Sequence, residues 1–155
     1  MTQEFNADEY LAATQKAAIA TKFTPVDEGE YPAFIQPGSI KIEEVPFRDG
    51  RTGKRFNATW EINDPAVAEK LGMEKPTVRQ QFLLDLTPEG ELAGGVNKNI
   101  RLGKLLLLAG IDPNRPEGWS YQNLEGVSGK IRVKHRPDKD DAEIVYADVV
   151  AVARL

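Results

Sequence analysis

Over most of this chain apolar and polar residues alternate with the two-residue period of a β-strand. Tyr31, Phe34 and Ile35 lead into Ile40 and Ile42, which alternate with Ser39, Lys41 and Glu43. This pattern predicts one long strand from Glu30 to Pro46, bent at Pro37-Gly38. A turn at Asp49-Gly50 joins it to a second strand, Phe56 to Asn63, with Phe56, Ala58, Trp60 and Ile62 on one face. Val78 to Leu86 predicts a third strand, with Val78, Phe82, Leu84 and Leu86 inward and Arg79, Gln81 and Asp85 outward. The fourth runs from Gly129 to Arg136. Its Ile131, Val133 and His135 point inward, while Lys130, Arg132, Lys134 and Arg136 form an outward row of cations. Ile144 to Val152 is the last strand.

Helical signals fall between these runs. Asn6 or Asp8 can cap a helix over Glu9 to Lys22, whose narrow stripe of Leu11, Ala12, Ala18 and Ile19 marks it as peripheral. Asp64-Pro65 starts, and Gly72 stops, a short helix over Ala66 to Leu71. Asn97 or Asn99 opens a stronger helix through Ala109, ended by Gly110. The chain therefore divides into an N-terminal arm, residues 1–28, and one domain, residues 29–155. The fold class expected is mainly β with accessory helices. Five strands with a helix between the third and fourth is the order of the oligonucleotide-binding (OB-fold) barrel.

Composition narrows the chemistry. The 155 residues include no cysteine and one histidine, His135, which excludes the usual triads, thiolate nucleophiles and zinc sites. Gly50 to Lys54, GRTGK, is too short for a phosphate loop and lies in a hairpin. No catalytic residue, metal or cofactor is therefore assigned. Asp85 and Asp148 are the one carboxylate pair to weigh for a divalent ion, although Asp148 serves more simply as a charge partner for Arg132. No apolar run is long enough to span a membrane, and the polar, acidic start MTQEFNADEY argues against secretion, so a cytoplasmic protein is expected.

The net charge of −4 counts against a simple nucleic-acid binder, but the cations are unevenly placed. Arg48, Arg51, Lys54 and Arg55 surround the first turn, and Lys130, Arg132, Lys134 and Arg136 line the fourth strand. In an OB-fold barrel the loops after strands one and four flank one groove, which would bring these two basic segments together. Single-strand binders pair such a cationic track with aromatic platforms. Tyr31, Phe34 and Phe47, near the bend and the hairpin, are the candidate platforms. Phe56, Trp60 and Phe82 fall on core positions. Trp119, with Tyr121 in the loop WSYQN, either stacks a base or plugs the end of the barrel. The acidic run Asp138 to Glu143 is a solvated turn that would repel phosphate.

Three segments carry a resemblance. GEYPAFI at Gly29 to Ile35, NIRLGKLLLLAGI at Asn99 to Ile111, and LEGVSGKIRVKHR at Leu124 to Arg136 resemble a family of small phage-encoded single-stranded DNA-binding proteins. Members of that family begin with a Gly-x-Tyr strand, carry a KL-rich helix ending in Ala-Gly, and follow it with Leu-x-Gly-x-x-Gly-[KR]-x-x-V. The likeness runs from about Gly29 to Val152. It implies an OB-fold and a role in phage DNA replication or recombination, in the host cytoplasm, with single-stranded DNA and replication or recombination proteins as partners. It supplies no catalytic residues. Many such proteins end in a flexible acidic tail, whereas this sequence ends VVAVARL. Partner recruitment then falls to another surface, such as the acidic N-terminal helix, or to a tail outside this sequence. Sequence-tolerant single-strand binding is the leading expectation, and the chain is not expected to be an enzyme. A protein-interaction module on the same barrel and a metal-dependent nuclease using Asp85 and Asp148 are the alternatives.

Overall fold

The structure, a computed structural model, describes residues 4–155, so the first three residues of the arm lie outside it. Six strands form its frame: β1 (Gly29–Ile35), β2 (Lys41–Pro46), β3 (Thr52–Ile62), β4 (Thr77–Leu83), β5 (Ser128–Pro137) and β6 (Val145–Ala153). They lie in the order β1-β5-β6-β4-β3-β2, and β1 also pairs with β3. Five strands thereby close a ring, β1-β5-β6-β4-β3 and back to β1, with β2 attached only to β3. All pairings are antiparallel except β4 with β6, which are parallel and share one registered pair, Arg79 opposite Asp148.

The expected first strand is two strands. Residues 36–40, around Pro37 and the positive-φ Gly38, interrupt the ladder between β1 and β2. The interruption lets β1 pair with β5 while β2 turns away along β3. The inward parity holds for most of the core positions. Ile35, Phe56, Ala58, Trp60, Val78, Phe82, Ile131 and Val133 are all buried within the ring. Trp60 donates its indole N–H to Gln80 Oε1 at 2.9 Å, so the largest side chain in the core leaves no polar atom unpaired.

Helix α2 (Pro65–Leu71) starts and stops as its sequence predicts. Asp64 Oδ1 accepts from Ala66 N at 3.0 Å, and Gly72 adopts the left-handed φ of 63°. Helix α3 (Ile100–Leu108), between β4 and β5, buries Leu102, Leu105 and Leu106 against the core. A nine-residue helix is marginal by itself. Each buried leucine contributes about 1.5–3 kcal/mol, and that burial holds it in place.

The arm differs from its prediction. Helix α1 covers only Ala7–Ala12, capped by Asn6, whose Oδ1 accepts from Asp8 N and Glu9 N. It buries no residue, and the alanine-rich run that follows is not helical. Alanine propensity without an apolar face to bury does not sustain a longer helix. The chain rejoins the body near Val26, which is buried, and through an Asp27–Lys70 ion pair.

Candidate nucleic-acid interface

On β5 the period-two pattern separates core from surface: Ile131 and Val133 are fully buried and Lys130, Arg132, Lys134 and Arg136 are exposed. His135, expected inward, is exposed, because the strand runs past the core beyond Val133. Its Nε2 lies 2.7 Å from the Val26 carbonyl. A carbonyl only accepts, so the ring nitrogen donates there. The His135 backbone N donates to Glu28 Oε2 at 2.9 Å. That bond, with a smaller contribution from Lys134, holds the Glu28 carboxyl below its ordinary range.

The cations have acid neighbours that only the strand register brings close. Glu30 on β1 lies opposite Arg132, and Pro32 opposite Lys130. The Glu30 carboxylate accepts from Lys130 Nζ at 3.1 Å and from an Arg132 guanidinium nitrogen at 3.2 Å. These hydrogen bonds, Lys130 foremost, pull its pKa down. Asp148 does not hold Arg132: it lies opposite Lys134 and accepts from Arg136 Nε at 2.7 Å. The Arg136 guanidinium also covers the Tyr146 ring, 4.9 Å from its centroid. Lys134 has no ion pair among the described residues. Four cations thus meet two directly bonded carboxylates, Glu30 and Asp148, with Glu28 near Lys134 and Asp138 near Arg136 as further acids that do not bond them directly.

Phe34 belongs to the same surface. It is half-buried, faces outward between Glu61 of β3 and Ser128 of β5, and sits diagonal to Lys130. Tyr31 does not join it. Its ring packs against the core and its hydroxyl donates to the Asp27 carbonyl at 2.8 Å.

The hairpin cations behave less uniformly than their sequence suggests. Arg48 is exposed with no ion pair among the described residues, whereas Arg51 bonds Asp49 at 2.6 Å. Arg55 bonds Glu43 across the β2–β3 ladder at 2.7 Å. Lys54 points the opposite way and donates to the Gly90 carbonyl at 3.1 Å. Phe47 folds back so that its ring covers Gly53, where any β-carbon would collide with it.

The predicted single groove is not assembled. The cavity of about 590 Å³ beside Arg136 is walled by Arg79, Asp148, Tyr146 and the Phe23–Val26 segment, and by none of the hairpin cations. A separate cavity of about 460 Å³ joins Lys54 to Trp119, Tyr121, Leu84 and Leu92. There Trp119 meets Tyr121 edge-on, ring centroids 5.1 Å apart, and both pack against the core at its open end. Burial pushes the Tyr121 hydroxyl above its ordinary pKa.

Two residues of this surface were missed. Arg79, exposed and without an ion pair among the described residues, extends the row Lys134–Asp148–Arg79–Thr59 across four strands. Its outward parity was readable, but its neighbour across the β4–β6 seam was not. Tyr146 had no signal beyond alternation. The carboxylates weighed for a metal are engaged elsewhere. Asp85 exchanges hydrogen bonds with Asn99, at 2.7 and 2.8 Å, and Asp148 holds Arg136. Among the described residues no group of three or more potential ligands converges, and no helix is long and apolar enough to cross a membrane. No protein-family model matches the chain, and no curated protein is significantly similar to it.

Proposed function

We propose that the five-stranded ring is an oligonucleotide-binding barrel whose outer face, across β1, β5, β6 and β4, binds single-stranded DNA without sequence preference. The observation that carries this reading is the clustering of Phe34 with Lys130, Arg132 and Lys134 on one exposed surface, where cations outnumber the carboxylates bonded to them. Phosphates would meet Lys130, Arg132, Lys134, Arg136 and Arg79, and a base would stack on Phe34. The strand order, with α3 between β4 and β5 and a parallel β4–β6 closure, supports the barrel assignment. The resemblance noted above extends the role to phage DNA replication or recombination.

The test is a titration of fluorescent oligo-dT over a range of salt. Affinity should fall with a log–log slope of about 0.7 per phosphate neutralised. Changing Lys130 and Arg132 together to glutamate should weaken binding to all sequences alike. No binding at low salt overturns the proposal.

The acids within the stripe favour a second reading, a protein-interaction module whose β5 cations mainly stabilise the sheet. Copurification of a protein that survives high salt and nuclease would support it.

A further inference from the structure

The arm and the body each carry a surface that nothing among the described residues covers. On the arm, Phe5, Tyr10 and Leu11 are 75, 63 and 82% exposed, although the Phe5 and Tyr10 rings already face each other with centroids 5.8 Å apart. A six-residue helix with no buried side chain is too short to persist in water by its own hydrogen bonds. Between residues 4 and 12 it carries Glu4, Asp8 and Glu9 and no cation.

On the body, a cleft of about 280 Å³ opens between α3 and β6. Its floor is Ile100, Val150, Ala151 and Val152, and its charged walls are Arg101 and Lys104. Ile100 and Val150 are large apolar side chains left exposed. Neither cation has an ion-pair partner among the described residues, and no carboxylate lines the cleft. Apolar surface edged only by positive charge matches an aromatic helix edged only by negative charge.

We propose that the arm helix of one copy docks into the α3–β6 cleft of a second copy, Phe5, Tyr10 and Leu11 on its floor and Asp8 and Glu9 against Arg101 and Lys104. No described arm residue lines the cleft, and the occupant assigned to it is the arm of a second copy on the ground of this charge complementarity. If the exchange is reciprocal, each copy offers both surfaces and the contact closes a two-fold dimer.

The experiment measures the mass of the full chain by light scattering against concentration, without nucleic acid. The wild type should associate. Asp8→Lys/Glu9→Lys, and separately Arg101→Glu/Lys104→Glu, should each weaken association about tenfold or more. An equal mixture of the two variants should restore it, because each arm then meets a cleft of opposite charge. All four positions are exposed, and circular dichroism should show an unchanged fold. Three results would overturn the proposal: a monomeric wild type, association untouched by either double variant, or a mixture that stays monomeric. A monomer whose arm is protected by its own cleft falls under the first.

Discussion

The indole N–H of Trp60 and the side-chain oxygen of Gln80 form a hydrogen bond of 2.9 Å inside the apolar core, between neighbouring strands β3 and β4. Among the described residues the Trp60 indole N–H has Gln80 as its hydrogen-bond acceptor, so Gln80→Leu strands a buried donor. That change should lower stability by about 1–3 kcal/mol in urea unfolding. Adding Trp60→Phe to it should cost less than the sum of the two single changes, because neither partner is then left unsatisfied.

Glu30 is shared by Lys130 and Arg132, and both bonds are exposed to water. Glu30→Gln should therefore leave the melting temperature nearly unchanged. On the proposed function it should tighten oligo-dT binding at low salt, and the salt slope should steepen by about 0.7 for each phosphate newly neutralised. Unchanged or weaker binding would argue that these cations serve the sheet.

Asp27, Glu28, Glu30 and Asp138 are all held below the ordinary carboxylate range by hydrogen bonds or nearby cations. In the unfolded chain they regain ordinary values of about 4 and take up protons first. The unfolded state then binds more protons, so stability present at neutral pH is lost as pH falls below about 4 and through the folded-state values. Thermal melts from pH 7 to 2 should show that decline, and Glu28→Gln/Glu30→Gln should flatten it.

Asn99 sits at a left-handed φ of 52° at the start of α3 and ties the loop after β4 to the helix. Its side chain accepts from Asp85 N and donates to the carbonyls of Asp85 and Ala93. Asn99→Ala removes all three bonds and a residue tolerant of that backbone, and should cost about 2–3 kcal/mol in chemical denaturation.

The face of most strand positions was legible from alternation, because burial on one side imposes it locally: Phe56, Ala58, Trp60 and Ile62 lie inward as their spacing predicts, whereas His135, past the core on β5, does not. The caps of α2 were legible for the same reason, since Asp64, Pro65 and Gly72 act within a single turn. What failed depends on contacts distant in the chain. Glu30 reaches Arg132 across 102 positions, and no local pattern marks it as the partner. Asp148 was matched to Arg132, but the register sets it against Lys134 and turns it to Arg136. The arm helix stops short of Lys22 because its alanines have no surface to bury against. The joint groove failed because Lys54 and Arg136 line different cavities and the other hairpin cations line neither.

The single parallel contact between Arg79 and Asp148 has a mechanical consequence. Every other junction of the ring is a ladder of several registered pairs, so the five strands behave as a strip fastened by one clasp. Breathing at that clasp separates two edges without unpairing any other strand. Amides of β6 that face β4 should then exchange with solvent ahead of those in the β3–β4 ladder, and whatever holds the clasp shut sets how closed the ring stays.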